Sequence, residues 1–335
     1  MNTKLLAVYC ILWSFMSAFV FADAAIGQEE IAIEKLGALI MAHGGSDDWN
    51  AAVEEAITPL RDACPVVIAF GMGERESLQE GVARLEAEGI HRVAVVRLYI
   101  SGASFLHQTE YLLGVRPDPP AQFVQHDSHA APHSNHTASM PHPDSSHADS
   151  LSSSHKSSIP ASIQTSSKFV LSIPGLAGSS HMGEILRERV KALSRAPAEE
   201  SVLILAHGAG DEEENGAILA QIADLAKGIE QLGPFRAIKA ETLREDWPDE
   251  RMLAEVRIRA FVTAGNQNSG RVIVVPFRLF GFGPYAKVLE GLSYVSDSNG
   301  LLPHPLVTDW IKTQVEDCCS RAGWRNPFTD GSVSR

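Results

Sequence analysis

Residues 36–44 read LGALIMAHG, and residues 202–208 read VLILAHG. Each stretch is a short apolar run that ends in Ala-His-Gly, and each is followed by a polar turn and a helical pattern. Short apolar runs of this kind are typical of parallel strands that are buried on both faces. The two stretches therefore predict the first strands of two similar α/β units.

The repeat continues downstream. A second pair of apolar runs also matches: RVAVVRLYISG at 92–102 and RVIVVPFRLFGFG at 271–283. Both contain Arg-Leu-aromatic just before a glycine-containing loop. Helical patterns alternate with the apolar runs, and each half closes with a further strand and helix: KFVLSIPG with MGEILRERVKALS, and the SYVSD region with VTDWIKTQVEDC. This alternation predicts an α/β fold of two similar doubly wound parallel-sheet lobes, each of roughly four strands, which face a central cleft.

The composition limits the class of partner. With 44% hydrophobic and 21% charged residues the chain has the composition of a globular protein. Its net charge of −13 argues against a nucleic-acid partner, which would need clustered lysine and arginine. An anionic small ligand stays compatible, because a few local arginines outweigh distant surface charge.

The N-terminus predicts export. Lys4 precedes the apolar run LLAVYCILWSFMSAFVF, and Ala22-Asp23-Ala24 resembles a cleavage site, so residues 1–25 are interpreted as a signal peptide that directs the protein to the periplasm. The alternative is an uncleaved segment that anchors the protein to the membrane. The remaining cysteines, Cys64, Cys318 and Cys319, form a poor disulfide framework because their number is odd.

The domain plan has one interruption. We place the first lobe at 34–200, the second at 201–322 and a tail at 323–335, with a disordered polar loop at 116–166 inside the first lobe. Within that loop residues 126–155, HDSHAAPHSNHTASMPHPDSSHADSLSSSH, hold seven of the 13 histidines of the chain. The loop is interpreted either as a flexible collector of metal ions or as a solvated spacer.

The candidate catalytic residues follow strands of the first lobe. His43 ends the first strand beside two glycines, and His107 follows the third strand in SGASFLHQTEYLLG. Both loops open at the carboxyl edge of the sheet, where ligands of such folds bind. Glu110 comes one helical turn after His107 and shares its face. Two imidazoles and a carboxylate suit a divalent first-row metal, although each histidine taken singly is also compatible with a structural role.

The second lobe supplies further candidates. His207 matches His43 and is a candidate third metal ligand or a vestigial partner, whereas the position that matches His107 is Val288. The paired Arg97 and Arg278 are candidate clamps for ligand carboxylates, or else ion-pair partners of a neighbouring helix. His181 also lies at the expected ligand edge of the first lobe.

The motifs that contain these residues are similar to those of a known family. The chain resembles the sirohydrochlorin cobaltochelatases and their ferrochelatase relatives, the class II tetrapyrrole chelatases, over about residues 36–115 and 168–322. The resemblance is carried by MAHGG, by SLQEGVARLEAEGIHRVAVVRLYISG, by SFLH and by LILAHGAGDEEEN, in that order. It implies two chelatase-like lobes and a tetrapyrrole bound in the cleft between them. It also implies that His43 and His107 deliver a divalent metal, with Glu110 as the carboxylate.

The activity implied is that of a lyase. The enzyme would insert Co²⁺, with Fe²⁺ or Ni²⁺ as alternatives, into a sirohydrochlorin-type tetrapyrrole, and the metal would be a substrate while no organic cofactor is needed. A free tetrapyrrole carries two N–H protons that must leave as the ion enters, and neutral imidazoles can bind the ion and accept the protons. Export is unexpected for tetrapyrrole biosynthesis, because its substrate is usually made in the cytoplasm. A second hypothesis is therefore an exported metal- or tetrapyrrole-binding protein without turnover.

Overall fold

The computed structural model describes residues 35–121, 123 and 159–329. The predicted signal peptide, the histidine-rich stretch 126–155 and residues 330–335 lie outside the described residues. No helix within the described ranges is long and apolar enough to cross a membrane.

The first lobe is a parallel sheet of four strands in the order β2-β1-β3-β4. Its strands are β1 (Leu36–Ala42), β2 (Val66–Phe70), β3 (Arg92–Arg97) and β4 (Lys168–Leu171), and its helices are α1 (Asp47–Ile57), α2 (Arg75–Ala87), α3 (Leu106–Leu112) and α4 (Ser180–Leu193). The register places Ile40 of β1 beside Ile68 on one side and Val96 on the other. Because β1 is central and covered on both faces, its sequence is an almost continuous apolar run.

The second lobe repeats the plan with a smaller sheet. Its strands β5 (Glu200–Ala206), β6 (Ala237–Thr242) and β7 (Arg271–Phe277) are parallel in the order β6-β5-β7, and its helices are α5 (Glu212–Glu230), α6 (Pro248–Gly265), α7 (Tyr285–Val288) and α8 (Pro305–Ala322). The fourth strand predicted in the SYVSD region is reduced to one bridge, between Val295 and Ile273. The strand cannot extend further because polar, turn-forming residues follow and Ser298 adopts a φ of 60°.

The core is divided by the alternation of side chains along the strands. Ala38, Ile40 and Ala42 of β1 belong to a core that both lobes share, whereas Leu39 and Met41 pack in a separate cluster with α2 and α3. The inner face of β5 joins the same shared core, together with the apolar faces of α1, α4, α5 and α8. Helices therefore cover both faces of each sheet, and the predicted doubly wound α/β fold is confirmed.

The last helix of each repeat packs on the sheet of the other repeat. Helix α4 lies against α5 and β7, and Arg189 of α4 donates to the carbonyl oxygen of Asn299 at 2.6 Å. In return α8 lies against β3, β4 and α1, and Thr308 Oγ1 donates to the carbonyl oxygen of Ala56 at 2.8 Å. In space, each sheet is therefore completed by a helix from the other repeat.

Candidate functional site

His43 is presented at the carboxyl end of β1 with one ring nitrogen already engaged. The chain turns at Gly44, which has a φ of 75° that only glycine adopts readily, and His43 Nδ1 lies 2.9 Å from the Gly44 carbonyl oxygen. Because a carbonyl oxygen only accepts, Nδ1 carries the hydrogen and Nε2 keeps its lone pair. Among the described residues Nε2 has no hydrogen-bond partner. This is the arrangement in which a histidine binds a metal ion or takes up a proton.

An aromatic stack fixes the His43 ring. It lies on the Trp49 ring with centroids 5.6 Å apart and planes 16° apart. Trp49 belongs to the first turn of α1, whose N-cap Ser46 accepts a hydrogen bond from the Trp49 backbone N–H. On its other side Trp49 stacks on Phe280, in the loop after β7, with centroids 6.2 Å apart. The orientation of His43 is therefore set by both lobes.

His107 and Glu110 are brought together by α3. His107 Nδ1 lies 2.9 Å from Glu110 Oε2, and the His107 side chain is 58% exposed while that of Glu110 is 26% exposed. A carboxylate that faces Nδ1 holds the hydrogen on that nitrogen, so Nε2 again keeps its lone pair. Phe105 starts the turn before α3 in the left-handed region, at a φ of 55°.

His207 has the same backbone setting but a different partner. Its Nδ1 lies 2.9 Å from the Gly208 carbonyl oxygen, as in the first lobe, and its Nε2 lies 3.1 Å from Asp246 Oδ2. Both ring nitrogens therefore face acceptors. Nε2 of His207, unlike that of His43, is therefore already paired with a carboxylate, so the two lobes differ at the motif that they share.

Glu74 is a residue that the sequence interpretation passed over. It follows β2, caps α2, and folds its carboxylate over Gly71 so closely that a Cβ at Gly71 would collide with it. The Gly71 N–H in turn donates to the backbone oxygen of His43 at 3.1 Å, and Tyr99 Oη donates to the Gly71 oxygen at 2.9 Å. Burial raises the pKa of Tyr99, and the nearby Glu74 carboxylate adds to this effect.

Glu74 therefore sits where β1, β2 and β3 end. The signal in the sequence is its position: it follows the apolar run of β2 as His43 follows that of β1. The surrounding stretch GMGERES, at 71–77, does not complete a dinucleotide-binding motif, so motif matching alone does not single out Glu74.

The two matched arginines have different environments. Arg97 is 1% exposed, and its guanidinium donates to the carbonyl oxygens of Ser104, Gly102, Ser172 and Ile173 at 2.8 to 3.1 Å. Burial lowers its pKa to about 10. These contacts tie the β3–α3 loop to the end of β4, and they give no support to the predicted grip on a ligand carboxylate.

Arg278 is more available. Its side chain is 18% exposed, its Nη1 lies 3.5 Å from Glu245 Oε1, and its guanidinium stands over the Tyr285 ring at 5.8 Å. Within the described residues its Nε is buried without a hydrogen-bond partner. Of the two predicted clamps, only Arg278 keeps donors for a ligand.

The remaining histidines of the described residues have local partners. His181 Nδ1 lies 3.3 Å from Ser179 Oγ, and His91 Nδ1 lies 3.2 Å from Ser166 Oγ. His304 caps α8 by accepting from the Leu306 N–H at 3.2 Å. We therefore leave these three outside the candidate site.

The described residues contain no ready-made metal site. In the part of the chain that the structure describes, no three His, Cys, Asp or Glu side chains are grouped so that they could hold a metal ion. His43, His107 and His207 are thus not gathered into one cluster.

The lobes meet beside these strand ends. Ser101, in the loop after β3, donates to Glu214 Oε1 of α5 at 3.0 Å. The corresponding contact of the other repeat joins Phe280, in the loop after β7, to Trp49 of α1. Ile173, two residues after the end of β4, is 56% exposed. The stacked Trp49 and Phe280 rings therefore offer an aromatic surface next to the imidazole of His43.

Comparison with known proteins identifies the fold. No family model matches the sequence, and no curated protein matches it. Among solved structures, SirB from Bacillus subtilis with Fe³⁺ aligns with a TM-score of 0.57 and 11% identity over 87% of this chain and 99% of that chain. The sirohydrochlorin chelatase SirB from Bacillus subtilis subspecies spizizenii, in complex with cobalt, aligns with a TM-score of 0.53 and 13% identity over 87% and 98% of the two chains. The protein therefore has a chelatase-like α/β fold.

Proposed function

We propose that the protein is a metal chelatase that inserts a divalent metal ion into a sirohydrochlorin-type tetrapyrrole. The observation that carries the proposal is the state of two imidazoles: His43 and His107 both turn Nδ1 to an oxygen acceptor and leave Nε2 free. Both lie at the carboxyl edge of one sheet in a fold shared with two chelatases.

The chemistry required is an exchange of one ion for two protons. The ion approaches on Nε2 of His43 or His107, the macrocycle nitrogens replace the water ligands of the ion, and two N–H protons leave. Once the ion has moved into the macrocycle, the Nε2 lone pairs of His43 and His107 are free, and each can accept one of the two protons. Glu110, hydrogen-bonded to His107 and partly exposed, would pass the proton to water. We add Glu74 as a second carboxylate at the strand ends.

The macrocycle needs an apolar platform and a counter-charge. Phe280 and Ile173 would contact its face, and Arg278 would bind one of its peripheral carboxylates in the bidentate manner that guanidinium favours. Arg97 is left out of this role because its donors are already used by backbone carbonyls.

The choice of metal and the location follow the sequence. We propose Co²⁺ as the first substrate, with Fe²⁺ and Ni²⁺ as alternatives, because imidazole and carboxylate ligands accept all three. We propose export to the periplasm on the basis of residues 1–25, and a metal-collecting role for the histidine-rich stretch 126–155.

A second candidate is an exported metal- or tetrapyrrole-binding protein that has this fold without turnover. The observation that favours it is the histidine-rich stretch, since seven imidazoles could hold metal ions without any catalytic site. On this view the metal content would depend on residues 126–155 and not on His43.

Anaerobic absorbance spectroscopy distinguishes the two candidates. The mature protein is mixed with sirohydrochlorin and Co²⁺, Fe²⁺ or Ni²⁺, and the rate of spectral conversion is compared with the rate without protein. The comparison variants are His43→Ala/His107→Ala and a protein whose histidines in 126–155 are all replaced by serine. A chelatase converts the substrate faster than the spontaneous reaction and loses this only in the first variant, while still binding the tetrapyrrole. Tight binding without conversion in the unaltered protein would exclude catalysis on this substrate.

A further inference from the structure

Helix α6 of the second lobe carries an apolar outer face. Met252, Leu253 and Val256 are 61%, 58% and 63% exposed, the highest values among the large hydrophobic side chains of the described residues. The inner face of the same helix, with Ala254, Ile258 and Val262, is fully buried against its own sheet. The helix is therefore apolar on two sides, and only one of them is covered.

The repeat shows that the fold does not require this outer face. In the first lobe α2 takes the place of α6, and its buried Leu78 and Val82 match Ala254 and Ile258. With that alignment the outer positions of α2 are Glu76, Ser77 and Glu80 where α6 has Met252, Leu253 and Val256. A polar outer face is thus compatible with this architecture, and its replacement by apolar residues indicates a partner.

A groove runs beside this face. It has a volume of about 760 Å³, lies along the edge strand β6 between α5 and α6, and has an apolar floor. Its apolar lining includes Leu219, Ala223, Ile238, Ala240 and Leu253. A side chain from an opposing apolar helix face would fit into it.

The charges around the groove are of both signs. Three carboxylates, Glu212, Glu241 and Glu250, and three basic groups, Lys239, Arg244 and Arg257, line it. A balance of this kind does not favour an anionic membrane surface or a strongly charged peptide. It favours a surface that carries the same balance.

The order of the charges along α6 points to a second copy of the chain. Glu250, Leu253 and Arg257 lie at positions i, i+3 and i+7, so they share one face, with the acid one turn before the leucine and the base one turn after it. When two such helices pack antiparallel about a twofold axis near Leu253, Glu250 of each copy meets Arg257 of the other. Arg257 can exchange its partner in this way, because its contact with Glu241 is long, at 3.4 Å, and Lys239 holds Glu241 more closely, at 2.8 Å.

We propose that the outer face of α6 and the adjoining groove form a twofold interface between two copies of this chain. Met252, Leu253 and Val256 form its apolar centre, and the reciprocal pairs of Glu250 with Arg257 set the antiparallel direction. The interface is separate from the candidate site and does not depend on the proposed reaction.

Sedimentation equilibrium of the mature protein, without residues 1–25, tests the proposal. The unaltered protein is expected to dimerise at micromolar concentrations, and Val256→Lys is expected to raise the dimer dissociation constant at least tenfold. Glu80→Lys, at the matching position of α2, is the control and is expected to leave the constant unchanged. Thermal melting followed by circular dichroism checks that each variant is folded.

Charge reversal tests the direction of the pairing. Glu250→Arg and Arg257→Glu are each expected to weaken self-association, because like charges then face each other across the axis. An equimolar mixture of the two variants is expected to form heterodimers, since every pair in that complex again joins opposite charges. A monomeric unaltered protein, or a dimer that Val256→Lys leaves intact, overturns the interface. A mixture that stays as weak as the single variants overturns the antiparallel arrangement.

Discussion

Replacing Arg97 with methionine separates a structural role of this side chain from a ligand-binding role. The guanidinium is almost fully buried and makes five hydrogen bonds to four backbone carbonyls, two of them in the loop before α3 and two just after β4. Methionine fills a similar volume but donates none of these bonds. The loop that leads to His107 would then lose its attachment to β4.

The size of the effect follows from those contacts. A hydrogen bond to a charged group contributes about 1.5–3 kcal/mol, and a buried carbonyl left without a donor costs about 1–3 kcal/mol. The sum is offset in part, because methionine removes a charge that is costly to bury. With four carbonyl oxygens left without this donor and that offset, we expect the free energy of unfolding to fall by about 3–5 kcal/mol. Arg278→Met, at the matching position of the repeat, breaks the 3.5 Å contact with Glu245 and the contact with the Tyr285 ring, and is expected to cost about 1–2 kcal/mol.

Two assays decide the role of Arg97. Urea unfolding followed by circular dichroism gives the stability of the unaltered protein and of both variants, and a tetrapyrrole titration followed by absorbance gives the affinity. The reasoning predicts a large loss of stability for Arg97→Met and a loss of affinity for Arg278→Met. If Arg97→Met changes stability by less than about 1 kcal/mol while weakening tetrapyrrole binding at least tenfold, the side chain is a ligand clamp and our interpretation of its contacts is wrong.

Three further outcomes are expected. Co²⁺ bound at His43 would lie close to the stacked Trp49 ring, so it should quench part of the tryptophan fluorescence. His43→Ala should abolish that part of the quenching. Unchanged quenching in the variant would contradict metal binding at His43. Asp246→Ala frees His207 Nε2, so isothermal titration should show one additional Co²⁺ ion bound by the second lobe. The free energy of unfolding should change by less than about 1 kcal/mol, because the carboxylate is exposed. If the variant binds no additional Co²⁺, Asp246 does not block His207. Burial raises the pKa of Cys64 and Cys318 to about 12 and that of Cys319 to about 11. Their thiols ionise in the unfolded chain at a lower pH than in the folded protein, so the urea midpoint should fall as the pH rises above about 9, and a flat midpoint between pH 9 and 11 would contradict their burial.

The sheets were predictable because the same apolar runs occur in both halves of the chain. LGALIMAHG and VLILAHG identify the central strands, and the short helical patterns between runs identify parallel connections. The exchange of α4 and α8 was not predictable, since an apolar helix face shows that it will be buried but not against which sheet. The missing fourth strand of the second lobe had a weak signal in the polar SDSNG that follows Val295.

The positions of the candidate site residues could be predicted from the sequence, but their hydrogen-bond partners and burial could not. Ala-His-Gly places His43 and His207 at equivalent strand ends, yet only the structure pairs His207 with Asp246, which is 39 positions further along the chain. Arg97 and Arg278 likewise share a motif and differ in burial, because β4 covers one while the second lobe has only a single bridge in that place. Duplicated motifs acquire different chemistry from residues outside the motif.

The central claim is that the first lobe, and not the second, delivers the metal ion. The most direct test compares the initial rates of anaerobic Co²⁺ insertion into sirohydrochlorin for the unaltered protein, His43→Ala and His207→Ala. Loss of a catalytic acid–base group typically costs about 10²- to 10⁴-fold, and we predict a loss in this range for His43→Ala. For His207→Ala, whose ring is already paired with Asp246, we predict a rate close to that of the unaltered protein. Equal losses in the two variants, or a greater loss in His207→Ala, would contradict the assignment of the site to the first lobe.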